Sequence, residues 1–203
     1  MAKIKTDRKI LNCATRLFAQ HGYDGTIMDD LAEQCGVNKA SIYYHHKDKA
    51  TLYENMLTAL FTPIADAVVQ AVEAESSPVK MLESHIRAFA RANADNPHFA
   101  AILMREMASG GANMPVRPRE QMQRILFLLN KILQLGESQK LFKSADPLIV
   151  HFMIVGTINL FVASISLRDS LKKTDECNQL QNTDIESAAD QVTKTIIDSL
   201  LIK

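Results

Sequence analysis

Apolar residues in this chain recur every three to four positions, which is the spacing of amphipathic helices, and no run alternates as a strand would. Near the N-terminus, Ile27, Leu31 and Ala32 are spaced so that one helix could bury them on a single face, with Val37 just beyond. Gly36 predicts a tight turn after this helix, because glycine adopts a positive φ without steric cost. We therefore predict a short helix, a turn and a second short helix.

The second short helix, predicted at about residues 38–45, begins with side chains suited to DNA. Asn38, Lys39 and Ser41 make its N-terminal face polar, and the helix is short enough to enter a major groove. We assign Lys39 to a base contact, because a lysine can donate to guanine O6 and N7. Ala40 would allow a close approach to the groove or touch a thymine methyl group.

Capping and breaking residues divide the middle of the chain into further helices. Asp48 is predicted to cap a long helix that reaches about residue 74. Residues 109–118, with two glycines and two prolines, predict a loop before a helix at about 119–135. Other helices are predicted to open at prolines, which are favoured in the first helical turn: Pro78, Pro97 and Pro147.

Two helices are predicted in the last third of the chain. The one that opens at Pro147 is expected to run to about residue 171, and a polar stretch at 172–182 follows it. Thr183 and Glu186 form a capping box for the last helix, in which each side chain reaches the other's backbone amide. About nine helices result, so the predicted fold class is all-α.

The region around the two short helices carries a recognisable pattern. Thr26 opens the first helix with a hydroxyl that can cap it, Gly36 and Val37 make the turn, and Tyr43 and Lys49 follow the small pair at positions 40 and 41. This pattern resembles the DNA-binding domain of TetR-type transcriptional regulators. Upstream residues also resemble the first helix of that family: Ile10, Ala14, Leu17, Phe18, His21, Gly22 and Tyr23.

The resemblance implies phosphate contacts for side chains with hydroxyl, imidazole or ammonium donors: Thr26, Tyr43, Tyr44, His45 and Lys49. The family's usual Tyr-Phe pair near the end of its third helix is His45-His46 here, which is expected to change the packing at that point. We expect Tyr43 to be less exposed than Tyr44, and one of the two tyrosines to pack inward against the first helix.

The resemblance also implies a domain layout and a function. Residues 1–49 would form a three-helix DNA-binding domain with a helix-turn-helix, and residues 50–203 a helical domain for ligand binding and dimerisation. The protein would then be a repressor that a small-molecule effector releases from a palindromic operator.

The last two long helices are predicted to pair two copies of the chain. The helix after Pro147 is apolar nearly all round, and such a helix needs partners on every side. The resemblance implies the same homodimeric four-helix bundle. The residues assigned to it are Ile154, Ile158, Phe161, Ile165, Ile185, Ala189, Val192, Ile196 and Leu200. The alternative, in which these helices complete the core of a single copy, stays open.

The middle helices are rich in large, flexible apolar side chains, which predict a pocket for a small apolar or amphipathic effector. The candidate ligand-binding residues are Met56, Phe61, Phe89, Met104, Met107, Met122, Phe127, His151, Phe152 and Asn159. A ligand there would move the helix that Asp48 caps and change the separation of the two DNA-binding domains. It must bind one separation better than the other to have this effect.

Charge and motif content narrow the class of protein. The formal net charge is zero, and residues 1–49 carry eight Lys or Arg against six Asp or Glu. We therefore expect weak and salt-dependent nonspecific DNA binding. No nucleophile elbow, phosphate-binding glycine loop or HExxH motif occurs, so we predict neither an enzyme nor a cofactor.

The cysteines and the N-terminal sequence predict a cytoplasmic location. Cys13, Cys35 and Cys177 are odd in number and form no CxxC pair, which argues against disulfides and a structural zinc. The first residues lack an apolar core segment of the kind found in signal peptides.

Residues 147–167 are long enough to cross a bilayer, but His151 and Asn159 would be costly there, so no membrane span is predicted. The remaining alternative function is a helical adaptor that binds protein partners and not DNA.

Overall fold

The structure, a computed structural model, describes residues 2–171 and 183–202, with side chains from residue 6 onward. The predicted polar stretch at 172–182, and Cys177 within it, lie outside the described residues. The described residues form ten helices: α1 (Ala2–Gly25), α2 (Met28–Cys35), α3 (Lys39–His45), α4 (Lys49–Glu73), α5 (Pro78–Asp95), α6 (Pro97–Ala108), α7 (Val116–Ser138), α8 (Pro147–Ala163), α9 (Ile165–Leu171) and α10 (Ile185–Leu200). The predicted all-α fold is confirmed.

The helix predicted from Pro147 to residue 171 is in fact two helices, α8 and α9, which are bent by 62° at the break. Arg168 stabilises this bend, because its Nη2 donates to the Phe161 carbonyl at 2.8 Å while its guanidinium lies 3.7 Å from the centre of the Phe161 ring. A carbonyl left without a helical partner at the end of α8 is thereby satisfied. The prediction of nine helices was one too low for this reason.

Helix α4, and α8 with α9 taken as one bent span, are long and apolar enough to cross a bilayer by length and hydropathy. Within the protein, α4 packs against α5 and α7, and α8 packs against α5, α6, α7 and α10. Helices at the centre of a bundle have the same composition, because they bury several faces against neighbours.

Aspartates cap α4 and α10. Asp48 accepts a hydrogen bond from the Thr51 amide at 2.7 Å, as predicted. The prediction of a capping box between Thr183 and Glu186 was wrong. Asp184 occupies the N-cap of α10 and accepts a hydrogen bond from the Ser187 amide at 2.7 Å, whereas Thr183 precedes the cap.

Helices α2 and α3 form the predicted helix-turn-helix. Gly36 lies at its turn with a φ of 57°, and Gly22 interrupts α1 with a φ of 72°. Thr26 was predicted to cap α2, but Ile27 occupies the N-cap position, and the Thr26 hydroxyl donates back to the Gly22 carbonyl at 2.7 Å. Ile27 is consequently exposed and not part of the predicted buried face.

One continuous apolar core connects the N-terminal helices with the bundle. Its members in α1, α2, α3 and the start of α4 include Ile10, Ala14, Leu17, Phe18, Leu31, Ile42 and Leu52. Helix α4 then continues into the bundle, where Ile64, Val68 and Val72 are buried. Because α4 serves both parts, a movement of its axis would carry the N-terminal helices with it.

Five of the residues predicted to pair two copies are buried inside one copy: Ile154, Ile158, Ala189, Ile196 and Leu200. Helix α10 packs against α5 and α8 of the same chain, which covers its apolar stripe internally. These five side chains are covered within a single copy, and their part in pairing two copies stays a prediction. Ile165 is exposed, and Phe161, Ile185 and Val192 are partly buried.

The cysteine pattern argued against a disulfide framework, and a single disulfide is present among the described residues. Cys13 on α1 and Cys35 at the end of α2 are joined by a disulfide, with their Cα atoms 5.7 Å apart. The two residues are 22 positions apart in sequence, so spacing alone gave no sign of the contact. The packing of α1 against α2 brings them to the Cα separation that disulfides require.

Gly136 provides the space for a buried phenylalanine at the end of α7. A Cβ atom at this position would overlap the ring of Phe142, which is almost fully buried. The backbone after α7 is fixed as well, since Lys143 donates to the Leu200 carbonyl at 2.7 Å and Ile202 donates to the Leu141 carbonyl at 3.0 Å. The backbone hydrogen bonds of residues 141–143 therefore join the end of α7 to the end of α10.

We expect Gly136→Ala to lower the free energy of unfolding by about 1–3 kcal/mol, because the Phe142 ring must leave its slot. Urea denaturation followed by circular dichroism measures the change. Phe142→Leu in the same chain makes room for the new methyl group, so the double variant should lose less than the sum of the two single variants. Strict additivity would contradict the assignment of the loss to this overlap.

Candidate functional site

The exposed face of α3 presents the side chains that the sequence assigned to DNA. Tyr44 is 71% exposed and Tyr43 41% exposed, which confirms their predicted order. Neither tyrosine packs inward, so that part of the prediction was wrong. Ala40, in the first turn of α3, is exposed, and Ser41 is partly buried.

Asn38 and Lys39 both have partners within the protein. The Asn38 side-chain oxygen accepts from the Ala40 amide at 2.9 Å and caps α3, which sets the angle at which the helix starts. Lys39 Nζ lies 2.6 Å from a carboxylate oxygen of Asp29 on α2. The hydrogen bond that Lys39 donates to Asp29 raises the pKa of Lys39. Asp29 occupies one of the three N–H donors of the Lys39 ammonium group.

Two of the residues predicted to contact phosphate point inward. The Thr26 side chain is buried and donates to Gly22. The His45 side chain is only 7% exposed, and its Nδ1 lies 3.5 Å from the Asp7 carboxylate. Both side chains would have to rotate outward to reach a phosphate, so the structure does not support a direct contact from their present conformations.

His46 is the second residue of the His45-His46 pair, where the sequence predicted altered packing. Its Nε2 lies 3.2 Å from the same Asp7 oxygen that His45 approaches, and its Nδ1 lies 3.2 Å from Asn55 Nδ2. The side chain is buried, and this burial lowers the pKa of His46 while Asp7 opposes the shift. The altered packing expected here is therefore a polar contact between α3, α1 and α4.

Lys49 stands at the first turn of α4. Its Nζ lies 4.5 Å from the centre of the Tyr23 ring, a cation–π arrangement that holds the ammonium group beside the N-terminal helices. Tyr23 in turn lies against Tyr53, with ring centres 4.9 Å apart. Lys49 is partly exposed.

Helix α6 is tied to the N-terminal helices by two adjacent side chains. Arg105 donates from Nε to the Ala19 carbonyl at 2.9 Å and from Nη2 to the Gln20 carbonyl at 2.7 Å. Glu106 is buried and accepts from the Tyr53 hydroxyl at 2.6 Å. Burial raises the pKa of Tyr53, and the Glu106 carboxylate adds to the shift. The first contact reaches α1 and the second reaches α4.

A narrow chamber lies between α4, α5, α6, α7 and α8, with about 20 Å³ of open volume, roughly the room for one water molecule. Its walls are Phe61, Ile64, Phe89, Phe99, Leu103, Gln121, Met122, Ile125, His151 and Val155. The ring of Phe99 lies edge-on to Phe61 at 4.7 Å and to Phe89 at 6.3 Å.

A wider outer cavity of about 490 Å³ adjoins the chamber. Leu103 and Met122 line both spaces, and Glu106, Met107 and Arg119 line the outer one. The chamber and the outer cavity therefore share one wall.

Comparison with known proteins places both parts of the chain in one family. Residues 10–56 match the model described as "Bacterial regulatory proteins, tetR family". Residues 78–194, more than half of the chain, match the model described as "Tetracyclin repressor-like, C-terminal domain". The chain belongs to the TetR family of bacterial regulatory proteins.

Curated relatives match only one part of the chain. The negative transcriptional regulator IcaR of the biofilm operon icaADBC, from Staphylococcus aureus strain Newman, is 43% identical over 53 residues, which are 26% of this chain and 28% of IcaR. IcaR of Staphylococcus epidermidis is 36% identical over 62 residues, which are 30% of this chain and 34% of the relative. The chain thus matches about a third of the length of these relatives.

Solved structures share the fold over the whole chain. A TetR-family regulator from Marinobacter aquaeolei VT8 has a TM-score of 0.75 and 19% identity, with both chains covered completely. KstR2, a ketosteroid transcriptional regulator of Mycobacterium tuberculosis, has a TM-score of 0.75 and 16% identity over 97% of this chain and 95% of its own. FadR from Bacillus subtilis in complex with stearoyl-CoA has a TM-score of 0.69 and 18% identity over 95% and 98%.

The TetR-family bundle contains some of the predicted ligand residues in its chamber and leaves others outside. Phe61, Phe89, Met122 and His151 line the chamber, and Met107 lines the outer cavity. Four other predicted residues lie elsewhere: Met56 in a separate cleft beside α1, and Met104, Phe127 and Phe152 exposed on the surface. Phe127 and Phe152 are 59% and 49% exposed and line neither the chamber nor the outer cavity, so their role in ligand binding stays a prediction.

Several chamber residues were missed by the sequence analysis: Phe99, Gln121, Ile125 and Val155. They are spread over three helices, and no single-helix pattern distinguishes them from ordinary core residues. Phe99 offered the best signal, since it is a large side chain in the first turn of a helix opened by Pro97.

Two polar pairs are buried where α5 meets α8. Asn93 Nδ2 donates to Asn159 Oδ1 at 2.7 Å, so the predicted ligand residue Asn159 already has a protein partner. His85 and His151 occur eight positions earlier on the same two helices. Burial lowers the pKa of both imidazoles, to about 3 for His85, and both are therefore neutral at physiological pH.

The buried His85 predicts a loss of stability in mild acid. The unfolded chain protonates this imidazole below its ordinary pKa of 6.5, whereas the folded protein does so only near pH 3. Stability therefore decreases as the pH falls from about 6.5 towards 3, and we expect His85 alone to lower the free energy of unfolding by about 2 kcal/mol between pH 8 and pH 5.

Denaturant titrations at pH 8 and pH 5 measure this difference. In His85→Phe, the decrease in the free energy of unfolding between pH 8 and pH 5 should be about 2 kcal/mol smaller. The decrease that remains should come from the smaller contributions of His46 and His151. The matched control is His21→Phe, an exposed position on α1, which should keep the full decrease. An unchanged decrease in His85→Phe would contradict the neutral state of this imidazole in the folded protein.

Proposed function

We propose that this protein is a homodimeric transcriptional repressor that binds a palindromic operator and is released from it by a small, mainly apolar effector. The observation that carries the proposal is the connection of an exposed α3 to an internal chamber through α6. The names of the relatives are consistent with it, since IcaR is a negative transcriptional regulator. FadR is described with stearoyl-CoA and KstR2 as a ketosteroid regulator, which supports an apolar effector.

The DNA contacts in this proposal follow the exposed side chains. Lys39 leaves Asp29 and donates to a base in the major groove, while Ala40 permits the close approach. Tyr43, Tyr44 and Lys49 donate to phosphates on either side. Thr26, Asn38 and Ser41 support the position of the helix, and His45 contacts DNA only if its side chain turns away from Asp7.

The dimer in this proposal uses the outer face of α8. Ile149, Phe152, Met153 and Leu160 are exposed and lie along one stripe at helical spacing, with Gly156 between them. Gly156 has no side chain, and no other atom of the chain lies within 4 Å of its Cβ position. A second helix could therefore approach the backbone closely at this point. Two such faces can pair about a two-fold axis, which would set the two recognition helices roughly 34–36 Å apart on a palindromic site.

Effector binding reaches the DNA-binding helices through α6. Leu103 lines the chamber, and two residues later Arg105 holds the carbonyls of α1 while Glu106 holds Tyr53 of α4. A ligand that displaces α6 would shift both contacts and change the separation of the recognition helices. It lowers operator affinity only to the extent that it binds the shifted state more tightly.

Replacing Lys39 tests sequence-specific binding. We expect Lys39→Ala to cost about 1–3 kcal/mol of operator binding and to relax preference at one base position, whereas Lys49→Ala should weaken all sequences alike and reduce the salt dependence. Fluorescence anisotropy on the DNA upstream of the protein's own gene, against a scrambled duplex over a salt series, measures both effects.

The control for this experiment is Lys131→Ala, an exposed lysine on α7, which should bind DNA like the unmodified protein. Uniform loss in both Lys39→Ala and Lys49→Ala would contradict the base contact. A folded protein without preference for the native duplex at any salt would favour the adaptor function instead.

The dimer is tested at the centre of the α8 stripe. We expect Phe152→Asp to convert the dimer to a monomer, because a carboxylate would be buried without a partner in an apolar interface. Sedimentation velocity measures the mass in solution. Val116→Asp changes a more exposed apolar residue at the start of α7 and should remain dimeric. A dimeric Phe152→Asp protein would exclude this face from the interface.

A further inference from the structure

The Cys13–Cys35 disulfide lies within the DNA-binding helices, next to the turn that leads to α3. Cys13 is in the middle of α1, and Cys35 is the last residue of α2, followed directly by Gly36. A second contact joins the same two places, because Lys9 Nζ on α1 donates to the Gly36 carbonyl at 3.2 Å. The oxidation state of the two cysteines therefore acts at the point from which α3 starts.

The two sulfur atoms differ in their surroundings. Cys35 is buried, with 4% of its surface exposed, whereas Cys13 is only partly buried. Arg16 Nη2 lies 3.9 Å from Cys13 Sγ. After reduction of the disulfide, a guanidinium group at this distance favours the thiolate of Cys13, and the thiolate is the form that reacts with oxidants. Cys13 is thus suited to react first, and Cys35 to close the bond from the protein interior.

The N-terminal helices do not depend on the disulfide for their core. Leu17, Phe18 and Leu31 are at most 1% exposed and belong to the apolar core that continues into the bundle. Small domains that need disulfides lack such a core. A regulator that works beside DNA in a reducing cytoplasm also meets conditions in which disulfides are usually transient and redox-sensing. Both the dithiol and the disulfide form can therefore be folded states of this protein.

We propose that Cys13 and Cys35 are a reversible oxidation site for a peroxide, and that formation of their disulfide tightens operator binding. The disulfide fixes the end of α2 against α1, so the N-terminal helices lose less conformational freedom when α3 enters the groove. This inference rests on the proposed function for its effect on DNA. It adds a chemical signal that acts at the DNA-binding helices themselves.

The oxidation proceeds in two balanced steps. The Cys13 thiolate attacks one peroxide oxygen, so that an S–O bond forms and the O–O bond breaks, and the leaving oxygen takes up the proton that Cys13 lost. Cys35 Sγ then attacks the sulfur of the resulting sulfenic acid, which forms the S–S bond and breaks the S–O bond. The Cys35 proton goes to the departing hydroxyl, which leaves as water. Two electrons pass from the two thiols to the peroxide, and a dithiol reductant reverses the change by thiol–disulfide exchange.

The test uses the full-length protein, with hydrogen peroxide as the oxidant and dithiothreitol as the reductant. Oxidation should lower the intact mass by about 2 Da, the mass of the two thiol hydrogens, and reduction should restore it. In fluorescence anisotropy on the DNA upstream of the protein's own gene, the oxidised form should bind about fivefold more tightly than the reduced form, or better.

Thermodynamic linkage supplies a second readout, which a merely structural disulfide would not give. If the oxidised form binds the operator more tightly, the operator must favour the disulfide over the dithiol by the same factor. In a glutathione buffer, operator DNA should therefore raise the ratio of oxidised to reduced protein about fivefold, or more, to match the difference in affinity. A scrambled duplex should leave this ratio unchanged.

Cysteine variants assign the reaction to this pair. Cys13→Ser should bind the operator with the affinity of the reduced form, whether or not peroxide is added. In Cys35→Ser the sulfenic acid on Cys13 should persist, and dimedone should label it. Cys177→Ser is the matched control, because it leaves only this pair of thiols and should respond like the unmodified protein. If Cys35→Ser fails to fold, Cys13→Ser and the linkage measurement decide the question.

The inference is overturned if the folded protein keeps its disulfide in excess dithiothreitol, or if peroxide does not form the disulfide from the dithiol. It is also overturned if the two forms bind the operator alike or in the opposite order. The mass measurement needs no DNA, so it separates this inference from the proposed function. Reversible oxidation without specific DNA binding in either form rejects the repressor function and its coupling to the disulfide, and it upholds the oxidation site. Specific DNA binding that ignores the redox state rejects only the redox inference.

Discussion

The contact between α6 and the N-terminal helices is the constraint that joins the two parts of this protein. Arg105 and Glu106 are adjacent, yet they hold different elements: the first binds backbone carbonyls of α1, and the second binds the Tyr53 hydroxyl of α4. Charge-assisted hydrogen bonds of this kind are short and directional. The N-terminal helices therefore follow the position of α6, and α6 forms one wall of the chamber through Leu103.

The DNA-binding surface is held by contacts within the protein. Lys39 is paired with Asp29, and both His45 and His46 face Asp7. These acidic partners, together with a net charge of zero, reduce the general attraction of this surface to DNA.

The apolar residues of α8 fall into two groups, one buried in the bundle and one exposed on its surface. Ile154 and Ile158 complete the protomer core, while Phe152 and Leu160 on the opposite side of the same helix remain exposed. A helix that is apolar all round can serve both tasks at once. In the core, both ring nitrogens of His85 and Nδ1 of His151 have no hydrogen-bond partner in the described part of the chain.

The sequence alone determined the features that depend on local chemistry: the helical period, the breaks at proline and glycine, the Gly36 turn and the polar start of α3. It also determined the family, because the Thr26–Lys49 pattern is local. Tertiary structure decided the rest. The Cys13–Cys35 disulfide, the link from Arg105 to α1, and the chamber around Phe99 and His151 join residues far apart in sequence. The pattern of a helix shows which face is apolar. Only the packing of the folded chain decides whether that face contacts the same chain, a ligand or a second copy.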